Sequence, residues 1–117
     1  MAESIVGKKS FEFALSIIEL YKRLIEEKEF VISKQLLKSG TSIGANIQEA
    51  LGGQSSKDFI SKLSISLKEA RETKYWLLLL KESSLTKIDV LPYLEKIEEI
   101  LKLLSSIIIT SKKNISK

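Results

Sequence analysis

The sequence contains no histidine and no cysteine. Their absence excludes disulfides, thiol nucleophiles and the usual zinc ligand sets. It also removes the commonest general acid–base side chain. Ser–His–Asp and Cys–His arrangements are impossible. One proline and five glycines leave little material for long loops. Aromatic residues make up only 7% of the chain, so surfaces for stacking bases are scarce. No apolar run approaches the roughly 18 residues of a membrane span; the longest covers residues 75–80. The opening MAESIVGKKS has no apolar stretch of signal-peptide type. The expectation is a cytoplasmic protein with no membrane partner, no metal, no cofactor and no catalytic residues.

What is present is apolar and mildly basic. Hydrophobic residues reach 44% of 117, enough for one domain with a modest core. Nineteen Lys and Arg against 15 Asp and Glu give a net charge of +4. That balance permits a polyanionic partner without establishing one.

Apolar spacing indicates four helices. The first spans about 8–28, with two stripes at three- and four-residue spacing. One holds Phe11, Ala14, Ile18, Tyr21 and Ile25; the other holds Phe13, Ile17, Leu20 and Leu24. Together they are wider than one partner helix covers. The second helix spans about 33–51, with Ser33 as its expected cap and Gly52 and Gly53 as its stop. The third, about 55–82, starts at the S-x-x-D box of Ser55 and Asp58. Its seam is Phe59, Leu63, Ser66, Ala70, Thr73, Leu77 and Leu80. The fourth spans about 89–111, with Asp89 as cap and Pro92 in its first turn. Its seam is Val90, Leu94, Ile97, Leu101, Leu104 and Ile108, and the tail beyond is expected to fray. Short connections between four such patterns specify a single all-α domain, an antiparallel up-down four-helix bundle.

The second helix has an unusual composition, QLLKSGTSIGANIQEA. An interior glycine costs a helix about 1 kcal/mol relative to alanine, and here there are two. Leu36, Leu37, Gly40, Ile43, Gly44, Ile47, Ala50 and Leu51 share one arc at 3.6 residues per turn. Gly40 and Gly44 in mid-face would let another helix approach closely. The small seam residues Ser66, Ala70 and Thr73 of the third helix are the expected partners of that glycine face. A polar ridge of Gln35, Ser39, Ser42, Asn46 and Glu49 runs beside it. A phosphate loop is the poorer reading, because there is neither a GxxxxGK[ST] pattern nor a preceding strand.

The run QLLKSGTSIGANIQEA followed by SSKDFISKLSISLKEARETKYWLLLL resembles the bacterial four-helix bundle family, also called the 23S rRNA intervening-sequence protein family. The resemblance covers nearly the whole chain and is densest over residues 35–80. It implies a small helical bundle assembled as a ring, usually a pentamer. A related branch of the family supplies an accessory protein to reverse transcriptases of diversity-generating retroelements. The family's N-I-x-E pattern falls on Asn46, Ile47 and Glu49, with an implied structural role.

Ile65, Trp76 and Leu79 lie off the main seam of the third helix and form a candidate oligomer interface; Leu103, Ile107 and Ile109 add apolar surface on the fourth. Gly40, Ser42, Gly44, Asn46 and Glu49 form the candidate packing motif. Lys57, Lys68, Arg71 and Lys74 on the third helix and Lys34 and Lys38 on the second are the candidate nucleic-acid contacts. For any single charge run a solvated, salt-bridged surface is the commoner outcome. Glu49, Glu69 and Glu72 are the best carboxylate cluster, yet pairing with Lys68, Arg71 or Lys74 explains them more simply than a cation site. The sequence thus describes a non-enzymatic, self-associating binding or scaffold protein. Its expected further partner is RNA or DNA held electrostatically, or alternatively a protein such as a reverse transcriptase.

Overall fold

Helix ends in this chain are set by side chains that accept the first unpaired amides. In the computed structural model, which describes residues 4–116, α1 covers Ile5–Glu26, α2 Ile32–Leu51, α3 Ser56–Ser83 and α4 Leu91–Ser116. Helix α1 begins earlier than the expected residue 8, because Ser4 Oγ accepts the Gly7 amide at 3.0 Å. Ser33 is not the cap of α2. It lies inside the helix, fully buried, and donates its hydroxyl proton to the Glu29 carbonyl at 2.7 Å. The cap is the Glu29 carboxylate, which accepts from the amides of Val31, Ile32 and Ser33 at 3.2, 2.9 and 2.6 Å. A charge at this position also suits the helix dipole. Ser55 caps α3 as expected, accepting from the Asp58 amide at 3.0 Å. Asp89 Oδ1 accepts from the Leu91 amide at 3.1 Å, one residue ahead of Pro92.

The expected end of α4 near residue 111 is too early. The helix continues to Ser116 instead of fraying. Its last turns lie beside the α2–α3 turn, where Ser111, Asn114 and Ile115 share a cavity with Gly53, Ser55 and Phe59. At the opposite end, Lys28 and Ser84 take left-handed backbone conformations, φ 64° and 59°, and terminate α1 and α3.

Helix α2 packs on α1 and α3, and α4 packs on α3 and α1, while the diagonal pairs stay apart. That is the antiparallel up-down arrangement, 51 × 23 × 21 Å overall. The Phe13, Ile17, Leu20, Leu24 stripe of α1 enters the core with Leu36, Ile43 and Ile47 of α2. Leu63, Leu77 and Leu80 of α3 and Ile97, Ile100 and Leu104 of α4 complete it. Burial of each such side chain contributes about 1.5–3 kcal/mol.

The glycines pack elsewhere than expected. A Cβ on Gly40 would lie 2.9 Å from Ile17 Cγ2, and one on Gly44 would lie 3.3 Å from Ser10 Oγ. Both residues face α1, not α3. The small seam of α3 does meet α2, through the edge of the polar ridge. Ser66 donates to the Ile43 carbonyl at 2.8 Å. Thr73 Oγ1 lies 2.9 Å from Ser39 Oγ and 2.8 Å from the Glu69 carbonyl oxygen. All three hydroxyls are buried. The two sides of α2 therefore use small residues for different purposes: glycine for close approach to α1, hydroxyls for buried hydrogen bonds to α3.

Three substitutions test these contacts. Gly44→Leu should lower the urea midpoint, because overpacking costs about 1–3 kcal/mol against a helix-propensity gain of about 1. Gly40→Leu should lower it further, since Ile17 is fully buried and branched at Cβ. An unchanged or higher midpoint for either variant would contradict the close contact. Thr73→Val preserves shape but removes the shared hydroxyl, and should cost about 1–2 kcal/mol in the same assay.

Candidate nucleic-acid interface

Six cations were candidates from sequence, and the fold separates them. Ser66 and Thr73 of α3 face α2, whereas Lys74 forms an ion pair with Glu98 of α4. With about 100° per residue, Arg71 falls on the α4 side of α3 and Lys68 on its outward face, both exposed. Lys34 and Lys38 are exposed on α2 and do not join them. Lys57 stands in the first turn of α3, about 21 Å along the axis from Arg71 at 1.5 Å per residue.

Arg71 and Lys74 instead meet a flank of α4. With Leu101, Lys102, Ser105, Ser106, Ile109 and Thr110 they line an open groove of about 610 Å³. Small Ser105 and Ser106 on the α4 wall leave this space unfilled. Lys102 was missed in the sequence reading, although Lys102, Ser105, Ser106 and Ile109 follow i, i+3, i+4, i+7 spacing and so share a helix flank. Among the described residues the lining contains three cations, three hydroxyl side chains and no carboxylate. Lys74 is partly neutralised, because the buried Oε1 of Glu98 faces its ammonium. Both partners are about 40% exposed, 39% and 42%, so this pair contributes little to stability.

The groove between α1 and α4 makes a useful contrast. Lys9, Glu12, Lys96 and Glu99 line it with balanced charge. Lys9 bonds Glu99 at 2.7 Å, and that hydrogen bond with the Glu99 charge holds its pKa above the usual lysine range. Nothing there selects an anion.

The α2 packing motif divides. Gly40 is buried and Gly44 half-buried, both against α1. Ser42 donates to the Lys38 carbonyl at 2.7 Å, and Asn46 donates to the Ser42 carbonyl at 2.8 Å. Their polar groups are thus engaged within their own helix. Glu49 is exposed and reaches Lys62 at 4.0 Å. Among the described residues no three carboxylates converge on a common point.

The candidate oligomer residues also divide. Ile65 is 41% exposed, whereas Trp76 packs against the core with its Nε1 buried and unpartnered, and Leu79 is half-buried. The outer face of α1 carries more uncovered apolar surface: Phe11, of its first stripe, is 63% exposed, and Leu15, which belongs to neither stripe, is 51% exposed. Among the described residues, no helix is long and apolar enough to cross a membrane.

The fold and this groove define a small all-α four-helix bundle with a basic channel along one helix pair. The profile of the 23S rRNA-intervening sequence protein family matches residues 2–106, and the chain belongs to that family. It is similar to the crystal structure of a protein of unknown function from the S23 ribosomal protein family of Bacteroides thetaiotaomicron VPI-5482. The two are 56% identical, over 89% of this chain and 98% of that one, with a TM-score of 0.82. No curated protein gives a significant match.

Proposed function

We propose that the chain is a non-catalytic, cytoplasmic, self-associating bundle that binds the phosphate backbone of RNA or DNA along the α3–α4 groove. The observation that carries this reading is the charge of the groove lining: Arg71, Lys74 and Lys102 with no carboxylate among them. Phosphate contacts of this kind position a nucleic acid without reading its sequence. The serine and threonine hydroxyls beside the cations supply further donors to phosphate oxygens. One groove offers few charges, so binding by a single protomer is weak. Repetition of the groove in an oligomer adds contacts on one strand and raises the overall affinity.

Self-association is supported by the outward apolar flank of α1, where Phe11 and Leu15 stand exposed on one side. The family resemblance supplies the ring of five. Light scattering should then report a particle near five times 13.2 kDa. Phe11→Glu combined with Leu15→Glu should reduce it toward the monomer without unfolding it, because neither residue belongs to the core. A monomeric native protein would remove the oligomer from this reading.

Fluorescence anisotropy with labelled RNA tests the groove. Affinity should fall steeply with added salt. Arg71→Gln with Lys102→Gln should flatten the slope of log K against log salt by about 1.4 on a single strand, about 0.7 per lost phosphate contact. Lys34→Gln with Lys38→Gln should leave it unchanged. Absence of binding at low salt would favour a protein partner as the ligand of this scaffold.

A further inference from the structure

Beside the groove, α3 carries an exposed stripe on which Lys68, Arg71, Tyr75 and Leu78 follow at alternating three- and four-residue spacing, all solvent-facing. Such residues are neighbours on one helix face. We infer that Tyr75 is a stacking platform for an unpaired base, and that the site therefore takes single-stranded RNA in preference to duplex. This inference rests on the proposed binding of nucleic acid at the α3–α4 groove.

Three observations support it. Tyr75 is 55% exposed and lies outside the hydrophobic core, so its ring has no large packing role within the protomer. The ring is nevertheless held: its centroid is 5.2 Å from that of Trp76, with an interplanar angle of 67°, edge to face. Trp76 is itself packed against the core. A ring fixed in this way loses little freedom when a base settles on it. Finally, Tyr75 stands one turn from Arg71, a residue of the groove lining, and two turns from Lys68. Arg71 and Tyr75 are i,i+4 neighbours on one helix face, so in this inference a base next to a phosphate held at Arg71 stacks on that ring. Lone exposed apolar side chains are ordinary; an aromatic ring beside cations that hold the backbone is the arrangement that single-strand binders use. Duplex RNA keeps its bases stacked internally and offers no free face to the ring.

The experiment measures anisotropy of a labelled oligouridine and of an RNA duplex of equal length, both at low salt, with the full chain. Native protein should bind the single strand more tightly. Tyr75→Leu should weaken single-strand binding roughly tenfold and leave duplex binding unchanged, as expected for the loss of one stacked base. Tyr75→Phe should retain the native preference. Salt-dependent binding with equal affinity for both probes would overturn the stacking role and leave the groove intact. Equal loss of both affinities in Tyr75→Leu, or a changed particle size by light scattering, would assign Tyr75 to structure instead and overturn it as well. No binding of either probe would overturn both this inference and the groove on which it rests.

Discussion

The close approach of α1 to α2 is the constraint on which the bundle depends. Ile17 sits where a side chain on Gly40 would be, and the backbone and hydroxyl of Ser10 crowd Gly44. Two interior glycines weaken α2 as an isolated helix, and packing offsets that loss. Helices within proteins owe little to propensity in any case, since most of their stability comes from packing a buried face. Removing the side chain at position 40 makes room for a fully buried isoleucine. The helix thereby exchanges local propensity for tertiary contact.

That choice also fixes which surfaces remain uncovered. With Ile17 directed at α2, Phe11 is turned about 120° away at 100° per residue, six residues earlier. Its exposed position is a consequence of the same contact that buries Ile17. On the other side of α2, buried serine and threonine hydroxyls fix the rotation of α3. Unlike apolar side chains, these groups disfavour other registers, because displacement would break the buried Ser66–Ile43 and Thr73–Ser39 hydrogen bonds between the helices. With α3 so oriented, Lys68, Arg71 and Tyr75 point outward and Lys74 meets Glu98.

Much of the fold was legible in the sequence, and the reasons are local. Periodic apolar stripes identified four helices, and short polar connections identified their antiparallel order. The Ser55 and Asp89 caps were visible because their side chains act within a few residues. The Glu29 cap was not, since a glutamate in the acidic run EEKE looks like a solvated end until its carboxylate is seen across three amides. The glycine partner was misplaced for a different reason. Small residues on α2 occupy two sides of the helix, and spacing alone does not say which neighbour lies against which side. Only the long-range contacts to Ile17, Ser10 and Thr73 distinguish them.

The site was legible by residue type more than by place. Arg71 and Lys74 were identifiable as a basic run, but a helix reading treats all exposed lysines alike. The fold discriminates among them through what stands opposite. Lys9 faces Glu99 and loses its selectivity for anions. Lys62 faces Glu49. Arg71 and Lys102, contributed by different helices, face a gap kept open by two serines. A cation gains a binding role when its neighbours leave its charge uncompensated and leave room for a ligand. In this bundle the α3–α4 flank meets both conditions at Arg71 and Lys102, whereas on the α1–α4 flank Lys9 is paired with Glu99, two carboxylates balance two cations, and the cavity is about 170 Å³ against about 610 Å³. Net charge of +4 is thus a poor guide by itself; the pairing pattern set by helix rotation decides where an anion can bind.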